Sequence, residues 1–411
     1  MLRRESKTSL ARPTTVNGKQ HSYYYEVLDA LTGPGCGVCA LVTRARIRYL
    51  DGLAYESVND IAIREKLRKA LGLCNRHAWF FLNDVREPLG TAIIYRDILR
   101  TLYRATANGN APRAIVSVGP CLACTIERVV ADNALFTIVD SLDSIELIEA
   151  LQQSIGLCAP HLVRACQLAP PRTGQRLLEI VQQSWTRRMV TLHASLAMLA
   201  TGAPGTFPKD QPTVPMIEST TKIGLPATDD PYTCPVCAYV NVNLLNVDPS
   251  HLTDKPSGLC NVHAWALPTD GFTSLLQQTH QIYLNQARLL VNRPDRGTIV
   301  EKARLFWRTR HPPLLVRAPV ACVVCARQAA IEAQCGQEDH QLLCLPHLRQ
   351  AVAAANANVL PRIRPSWLSL SELLGEYIRK EDYRFRHEPR GSERDSPRWA
   401  TALVAGAPGL A

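Results

Sequence analysis

Apolar residues recur along this chain with the period of an α-helix. One stripe is Ile94, Ile98 and Leu102. Similar stripes are Ile47, Leu50, Leu53 and Ala54; Ile126, Val129, Val130 and Ala134; and Leu177, Ile180, Val181 and Trp185. This spacing places side chains on one helical face, and strand-like alternation is scarce. The pattern therefore predicts a mainly α-helical protein.

Helix boundaries can also be predicted in places. Asp60 precedes a helical stretch that runs through Glu65 to Leu71, and Gly72 follows it directly. Aspartate is a favoured N-cap and glycine commonly follows a helix end. We therefore expect a helix that stops just before Cys74.

Twelve of the 14 cysteines form a repeated pattern. Four Cys-x-x-Cys pairs are each followed along the chain by one Cys-x-x-His pair. The pairs are Cys36/Cys39 then Cys74/His77; Cys121/Cys124 then Cys158/His161; Cys234/Cys237 then Cys260/His263; and Cys322/Cys325 then Cys344/His347. Thiolates plus imidazole are the usual ligands of structural zinc. Taking each pair with the next along the chain, we predict four zinc ions, each in a quartet of three cysteines and one histidine.

The residues around these pairs alternate in type. The first and third Cys-x-x-His pairs lie in Gly-Leu-Cys-Asn-x-His-Ala-Trp, at Gly72–Trp79 and Gly258–Trp265, whereas the second and fourth read Cys-x-Pro-His-Leu. This A-B-A-B order indicates a duplicated two-site unit. The predicted organisation is a flexible tail (1–20), a first two-site helical module (21–200), a Pro/Gly/Thr-rich linker (201–231), a second module (232–388) and a C-terminal tail (389–411). We expect the last tail to be loosely packed, with Trp399, Ala400 and Leu403 able to form a short docking helix.

Four protein ligands fill a tetrahedral site, whereas a catalytic zinc normally keeps one position for water. No His-Glu-x-x-His, phosphate-binding glycine loop or nucleophile elbow is present, so no catalytic residue is predicted and a non-enzymatic role is favoured. The same ligands also suit an iron–sulfur cluster, which would make the protein an electron carrier, or a redox sensor that releases zinc on thiol oxidation. The leading hypothesis is a zinc-organised scaffold that presents surfaces to another macromolecule.

The formal charge of +10 raises the possibility of nucleic-acid binding. Four zinc–thiolate sites would reduce that charge to about +6. Segment 302–317 is the best candidate, because Lys302, Arg304, Arg308 and Arg310 surround Trp307. We favour a solvated amphipathic connector there, and hence a protein partner over a nucleic acid. The mixed-charge segment 376–398 is predicted to be a salt-bridged helix with Tyr377, Tyr383 and Phe385 packed inward.

The remaining residues of interest have structural interpretations. Trp79 and Trp265 follow ligand histidines and are expected to shield the thiolates from water. Cys166 and Cys335 are expected to be buried small apolar residues. No apolar run follows the basic N-terminus, and no stretch approaches the length of a membrane span. We therefore expect a cytoplasmic protein without a membrane partner.

The chain resembles an uncharacterised bacterial domain-of-unknown-function family. The resemblance rests on the Cys-x-x-Cys pairs, the Gly-Leu-Cys-x-x-His-Ala-Trp element and the segment from Tyr377 to Arg386. It covers most of the chain apart from the N-terminal tail and the central linker. Because no activity is established for that family, the resemblance implies the metal sites alone.

Overall fold

A computed structural model describes residues 22–33, 35–107, 115–116, 118–200, 231–245, 273–292, 322–335, 342–354 and 359–408. For 188–200, 241–245, 273–278, 323 and 334–335 only the backbone is described. The predicted linker, segment 302–317 and the pair Cys260/His263 lie outside these ranges.

The described chain is built from α-helices, which confirms the predicted fold class. In chain order they are α1 Ser22–Thr32, α2 Gly37–Gly52, α3 Ile61–Ala70, α4 Asn75–Asn83, α5 Pro88–Ala107, α6 Leu122–Asp140, α7 Ile145–Gln153, α8 Ala159–Leu168, α9 Pro171–Ala200, α10 Pro235–Leu245, α11 Thr273–Val291, α12 Val323–Cys335, α13 Leu345–Ala353, α14 Leu360–Glu381 and α15 Ser396–Ala405. A π-helical turn, Leu53–Ser57, extends α2, and a 3₁₀ turn, Ser392–Asp395, precedes α15. None of the described helices is long and apolar enough to cross a membrane.

The boundaries of α3 follow the predicted signals. The Asp60 carboxylate accepts a hydrogen bond from the backbone N–H of Ile63 at 2.8 Å, so it caps the helix start. Leu71 and Gly72 both have positive φ, at 51° and 95°. A Cβ on Gly72 would lie 2.8 Å from the ring of Tyr95, so this turn needs glycine for space as well as for conformation.

The chain divides into two compact units, and each unit draws on both predicted modules. The first unit comprises Met1–Val42, Val130–Gln211 and His280–Pro319; the second comprises Thr43–Val129, Pro212–Thr279 and Val320–Ala411. The core of the first unit includes Val38, Leu135, Leu147, Leu162 and Leu177, all buried. The two predicted modules are defined by the sequence repeat rather than by contacts, and they stay a prediction.

The second unit is organised by α5, α14 and α15. The stripe Ile98 and Leu102 on α5 is buried in the same core as Trp367 on α14 and Leu403 on α15. The predicted docking helix therefore exists as α15, with Ala400 and Leu403 fully buried, and the expectation of loose packing is wrong for this segment. The reason is that its apolar residues cover α5 and would otherwise face water.

Segment 376–398 is rich in ion pairs, as predicted, but it is not one helix, because α14 ends at Glu381 and helical structure resumes only at Ser392. Arg379 contacts Glu376 and Glu388, and Lys380 lies 2.9 Å from Glu393. Tyr377 is buried, whereas Tyr383 is 81% exposed, so its predicted inward packing is wrong. Tyr383 follows the helix end in a turn, where the helical period no longer directs side chains.

Candidate metal centres

Three clusters of cysteine and histidine occur among the described residues. Cluster I contains Cys36, Cys39, Cys158 and His161; cluster II contains Cys74, His77, Cys121 and Cys124; cluster III contains Cys234, Cys237, Cys344 and His347. The predicted ligand residues thus come together, but the predicted sequential pairing is wrong. The first Cys-x-x-Cys meets the second Cys-x-x-His and encloses the inner pairing of cluster II, so the order is nested.

The ligand pairs that share a cluster are not always the ones nearest to each other along the chain. Cys39 and His161 are 122 residues apart along the sequence, whereas only 38 residues separate Cys39 from His77. Loop closure becomes only slowly more costly with length, by about 0.6 kcal/mol per doubling. Helix packing can therefore select a distant partner over the nearer one.

Each half of a cluster is a helix N-terminus. Cys36, Cys121 and Cys234 immediately precede α2, α6 and α10, and their carbonyl oxygens accept the first hydrogen bonds of those helices. Cys74, Cys158 and Cys344 are the N-cap residues of α4, α8 and α13. The second ligand of each pair comes three residues later, one turn into the helix, and so projects on the same side. Each cluster consequently joins two positive helix ends, which favour thiolate over thiol.

The ligand atoms within each cluster have the spacing of one tetrahedral ion. Sulfur–sulfur distances are 3.7 Å for Cys39–Cys158, 3.6 Å for Cys74–Cys124 and 3.6 Å for Cys237–Cys344. The histidine Nδ1 atoms lie 3.1–3.6 Å from their cysteine sulfurs. Tetrahedral zinc with ordinary bond lengths separates two sulfurs by about 3.8 Å and a sulfur from a nitrogen by about 3.6 Å. These residues therefore fit a single zinc ion without rearrangement.

The same distances weigh against two other arrangements. A disulfide needs sulfurs about 2.05 Å apart, and no described cysteine forms one. An iron–sulfur cluster binds its thiolates to different irons around inorganic sulfide, which spreads the ligands more widely than one ion does. Here all ligand atoms of a cluster lie within 4.8 Å of one another.

Mutual hydrogen bonding favours a thiolate at one cysteine of each cluster, raises the pKa of another, and favours imidazolium at the histidine. Hydrogen bonds from Cys158 and Cys39 hold the pKa of Cys36 well below its usual range. Burial lowers the pKa of His77, but hydrogen bonds with Cys121 and Cys74 outweigh it and raise the pKa to about 10. The same balance raises the pKa of His161 to about 10. A cation is thus favoured at the centre of these sulfurs, whether it is a proton on the ring or a metal ion.

Carboxylates support two of the three histidines from outside the clusters. Glu127 Oε1 lies 3.2 Å from Nε2 of His77, and Glu332 Oε1 lies 3.4 Å from Nε2 of His347. In each case the ring faces sulfur through Nδ1 and the carboxylate through Nε2. Arg76 and Arg46 contact Glu127 in turn and help to hold it ionised. Such carboxylates orient a ligand histidine and strengthen it as a donor to metal.

The clusters differ in their access to solvent. All four residues of cluster III are buried, whereas Cys39 of cluster I is exposed. The indole Nε1 of Trp79 donates to the carbonyl oxygen of Gly406. The expectation that Trp79 shields the thiolates from water stays a prediction.

The remaining predicted residues can be placed in part. Cys322 is buried at the start of α12, and its carbonyl accepts from Ala326 N at 2.9 Å, the same local geometry as in the other Cys-x-x-Cys pairs. Its predicted co-ligands Cys344 and His347 belong to cluster III instead, so the predicted fourth quartet is wrong. Trp265 lies outside the described residues. Cys166 is buried, as predicted, and burial raises the pKa of its thiol to about 12, so it is unreactive. The side chain of Cys335 lies outside the description.

Sequence analysis missed Asn75, Glu127 and Glu332 as functional neighbours of the sites. Glu127 follows Cys124 by three residues on α6, so helical spacing could have placed it near the ligands. Glu332 gave no such signal. It lies on α12, after Cys322 and Cys325, but the histidine that it contacts belongs to cluster III, which contains neither cysteine.

Comparison with known proteins gives one informative match. The chain is 44% identical over 95 residues to a protein described as an uncharacterised 23.9 kDa protein in the xynA 3′ region of Caldicellulosiruptor sp. (strain Rt8B.4). The match covers 23% of this chain and 46% of that relative, so the chain spans about half of the relative's length. No family model matches the chain, and no solved structure matches it.

Proposed function

We propose that this protein is a structural zinc protein, in which closed tetrahedral ions organise a helical scaffold for binding another macromolecule. The observation that supports this proposal is the spacing of four ligand atoms around a common centre in each of clusters I, II and III. When bound, zinc neutralises thiolate charge and ties together helix ends that are distant in sequence. It supplies folding free energy on the order of 10 kcal/mol per site.

The chain's own residues account for a closed site. Three sulfurs and one nitrogen complete a tetrahedron, so no position remains for water or substrate. The helix N-termini and the carboxylates on the two histidines stabilise the metal-binding protonation states. A scaffold role is consistent with these features, and the ligands need a reducing compartment to stay as thiolates, for which we propose the cytoplasm.

We propose a fourth ion from the duplication. If the nested order repeats in the second half, Cys322 and Cys325 share an ion with Cys260 and His263. The helix-start geometry of Cys322 supports this assignment. In that half, cluster III already joins the first Cys-x-x-Cys pair to the last Cys-x-x-His pair, as cluster I does in the first half.

Elemental analysis of the purified full chain tests the proposal. We expect close to four zinc ions per chain, no inorganic sulfide and no visible absorption. Stripping the metal with a strong chelator should abolish cooperative thermal unfolding, and added zinc should restore it. Iron with sulfide, or unchanged helicity and melting after verified metal loss, would overturn the proposal.

A second candidate, thiol redox sensing, is favoured by one observation at cluster I. Cys39 is exposed and its sulfur lies 3.7 Å from that of Cys158. Under mild peroxide, Cys39 would be oxidised to a sulfenic acid, which Cys158 would attack to form a disulfide with release of water and zinc. Release of one ion per chain, reversed by a thiol reductant plus zinc, would support sensing. Simultaneous release of all ions would indicate general damage instead.

A further inference from the structure

Arginines line one edge of the packing between α5 and α14. Arg96, Arg100 and Arg104 follow one another at four-residue intervals on α5, and Arg364 lies near the start of α14. The helices run antiparallel, because Arg96 Nε donates to Ser371 O at 3.3 Å while the Arg364 guanidinium lies 4.2 Å from the Tyr103 ring centre. We refer to these four arginines as the arginine edge.

We infer that the arginine edge is a binding surface for single-stranded nucleic acid, contacted through its phosphates. This inference is independent of the zinc proposal. It also concerns a different part of the chain from segment 302–317, which lies outside the described residues.

The charge on this edge is not neutralised within the part of the chain that the structure describes. None of the four arginines forms an ion pair with a described carboxylate. Asp97, the acid nearest to them on α5, is bound by Arg64 and Arg68 of α3. Elsewhere the protein pairs its arginines readily, as Arg164 with Asp132 shows. Unpaired guanidinium groups close together repel one another, and an external anion would relieve that repulsion.

Two of these groups are already partly desolvated. The Nε atom of Arg364 is buried without a hydrogen-bond partner, although its guanidinium covers an aromatic face. Burial, together with the charge of Arg100, lowers the pKa of Arg96. A guanidinium group that is already partly desolvated loses less hydration when a phosphate binds to its accessible N–H groups.

The spacing of these arginines suits the phosphates of a nucleic-acid strand. Residues four apart on a helix rise about 6 Å, so the three arginines of α5 form a row about 12 Å long. Phosphates of a nucleic-acid strand recur on this scale, whereas a single small anion would engage one or two of the groups. Guanidinium groups match phosphate geometry through paired N–H donors. Residues 108–114 and 355–358, which adjoin the two helices, contain no acid in their sequence.

One carboxylate near this edge works in the opposite direction. Glu372 on α14 is exposed and forms no ion pair with a described residue. Apart from Asp97, which is already paired, the edge therefore has four positive groups against one negative group. Replacing Glu372 by glutamine should tighten the binding of nucleic acid slightly, by removing repulsion of phosphate.

The test compares two variants that lose the same charge. Arg100→Gln/Arg104→Gln alters the edge, and Arg48→Gln/Arg172→Gln removes two exposed arginines that form no described ion pair elsewhere. Binding of the full-length, zinc-loaded protein to a fluorescent 20-nucleotide RNA would be measured by anisotropy over a range of salt concentrations. We expect the edge variant to lose at least about tenfold in affinity and its log–log salt slope to fall by about 1.4, at about 0.7 per lost phosphate contact.

The control variant should lose less than threefold, and Arg100→Lys/Arg104→Lys should keep most of the binding. Equal losses in both glutamine variants, or no RNA binding at 50 mM salt, would overturn the inference. Binding to phosphatidylserine vesicles with the same arginine dependence and greater affinity would overturn it in favour of a lipid surface.

Discussion

The indole Nε1 of Trp79 donates a hydrogen bond to the carbonyl oxygen of Gly406, 2.9 Å away. Asn75, one turn earlier on α4, donates from its amide nitrogen to the carbonyl oxygens of Ala405 and Ala407 at 2.9 and 2.7 Å. Both donors belong to the helix that supplies His77 to cluster II. They satisfy carbonyls at the end of α15 that have no partner within that helix. The chain's C-terminal helix is thereby attached to a metal-binding helix.

Replacing Trp79 by phenylalanine should destabilise the second unit. The ring is largely retained, but the buried carbonyl of Gly406 loses its donor, which costs about 1–3 kcal/mol. Urea unfolding followed by circular dichroism should show a lower midpoint with an unchanged slope. Trp399→Phe is the matched control, because its indole makes no described hydrogen bond, and it should cost less. A larger loss in the control would mean that ring packing, rather than the hydrogen bond, dominates.

Serine substitutions should reveal which cysteines share an ion. Cys39→Ser/Cys158→Ser affects one cluster in the nested arrangement, so we expect one fewer zinc per chain by mass spectrometry. Cys39→Ser/Cys74→Ser affects two clusters and should remove two. Sequential pairing predicts the reverse result for these two variants. Cys166→Ser should retain the full number of ions, since this thiol lies outside every described cluster.

Removing the carboxylate behind a ligand histidine should weaken zinc binding at that site alone. Glu127→Gln keeps a hydrogen-bond acceptor near His77 but loses the charge, and changes of this type typically cost 10–100-fold in metal affinity. Competition with a chromogenic chelator should show one ion released early. Glu332→Gln should have the same effect through His347, whereas Glu65→Gln, at an exposed i,i+4 pair, should have none. Equal chelator resistance in all three variants would contradict the role assigned to these carboxylates.

The ion pair between Glu393 and Lys380 should contribute a component of stability that depends on pH. Burial raises the pKa of Glu393, but hydrogen bonds from Lys380 and Gly391 outweigh it, and the net pKa is lowered. Its stabilising effect is therefore complete above the ordinary glutamate pKa of about 4.5 and is lost as pH falls through the lower folded value. Between pH 6 and 3, the wild type should lose more stability than Glu393→Gln. Glu372→Gln should follow the wild type, and metal loss affects all three proteins alike.

The sequence itself predicts a second contact of the Trp79 type. Residues 199–205, LATGAPG, match 403–409, LVAGAPG, at five of seven positions, and Asn261 and Trp265 repeat Asn75 and Trp79. Residues 202–205, Asn261 and Trp265 lie outside the described residues, so the duplication alone supports this prediction. Trp265→Phe should destabilise the protein. In a double variant whose residues 202–204 are replaced by three serines, Trp265→Phe should cause much less further destabilisation. Additive losses in the double variant would show that the two sites are independent.

Local features of the fold were predictable because their causes are local. The cap at Asp60, the turn at Gly72 and the helix-start geometry of the ligand pairs depend on neighbouring residues and on helical spacing. The ligand types were also predictable, since cysteine and histidine at these intervals suit zinc. Ile47, in contrast, belongs to an apolar stripe yet is 40% exposed, because the sequence does not show how much of a helix face is covered.

Ligand pairing could not be read from the sequence. All four Cys-x-x-Cys pairs look alike, and any of them could bind an ion with any Cys-x-x-His pair. The choice depends on which helix ends meet, and packing among α1, α2, α6, α7 and α8 decides it for cluster I. Glu332 shows the same limit, because its partner histidine is on another helix and no repeat spacing links the two.

Nested pairing also determines the order in which the clusters become complete during translation. Cys39 emerges early but meets His161 only after 122 further residues, which take roughly 6 to 25 seconds at ordinary translation rates. The inner quartet of cluster II, complete at Cys124, can capture its ion first, and cluster I must follow. Until then Cys36 and Cys39 are open to oxidation and to competing metals. Cys36 and Cys39 are made before the cysteines of cluster II but are protected after them, so the growing chain depends on cellular reductant and zinc supply more than the finished protein does.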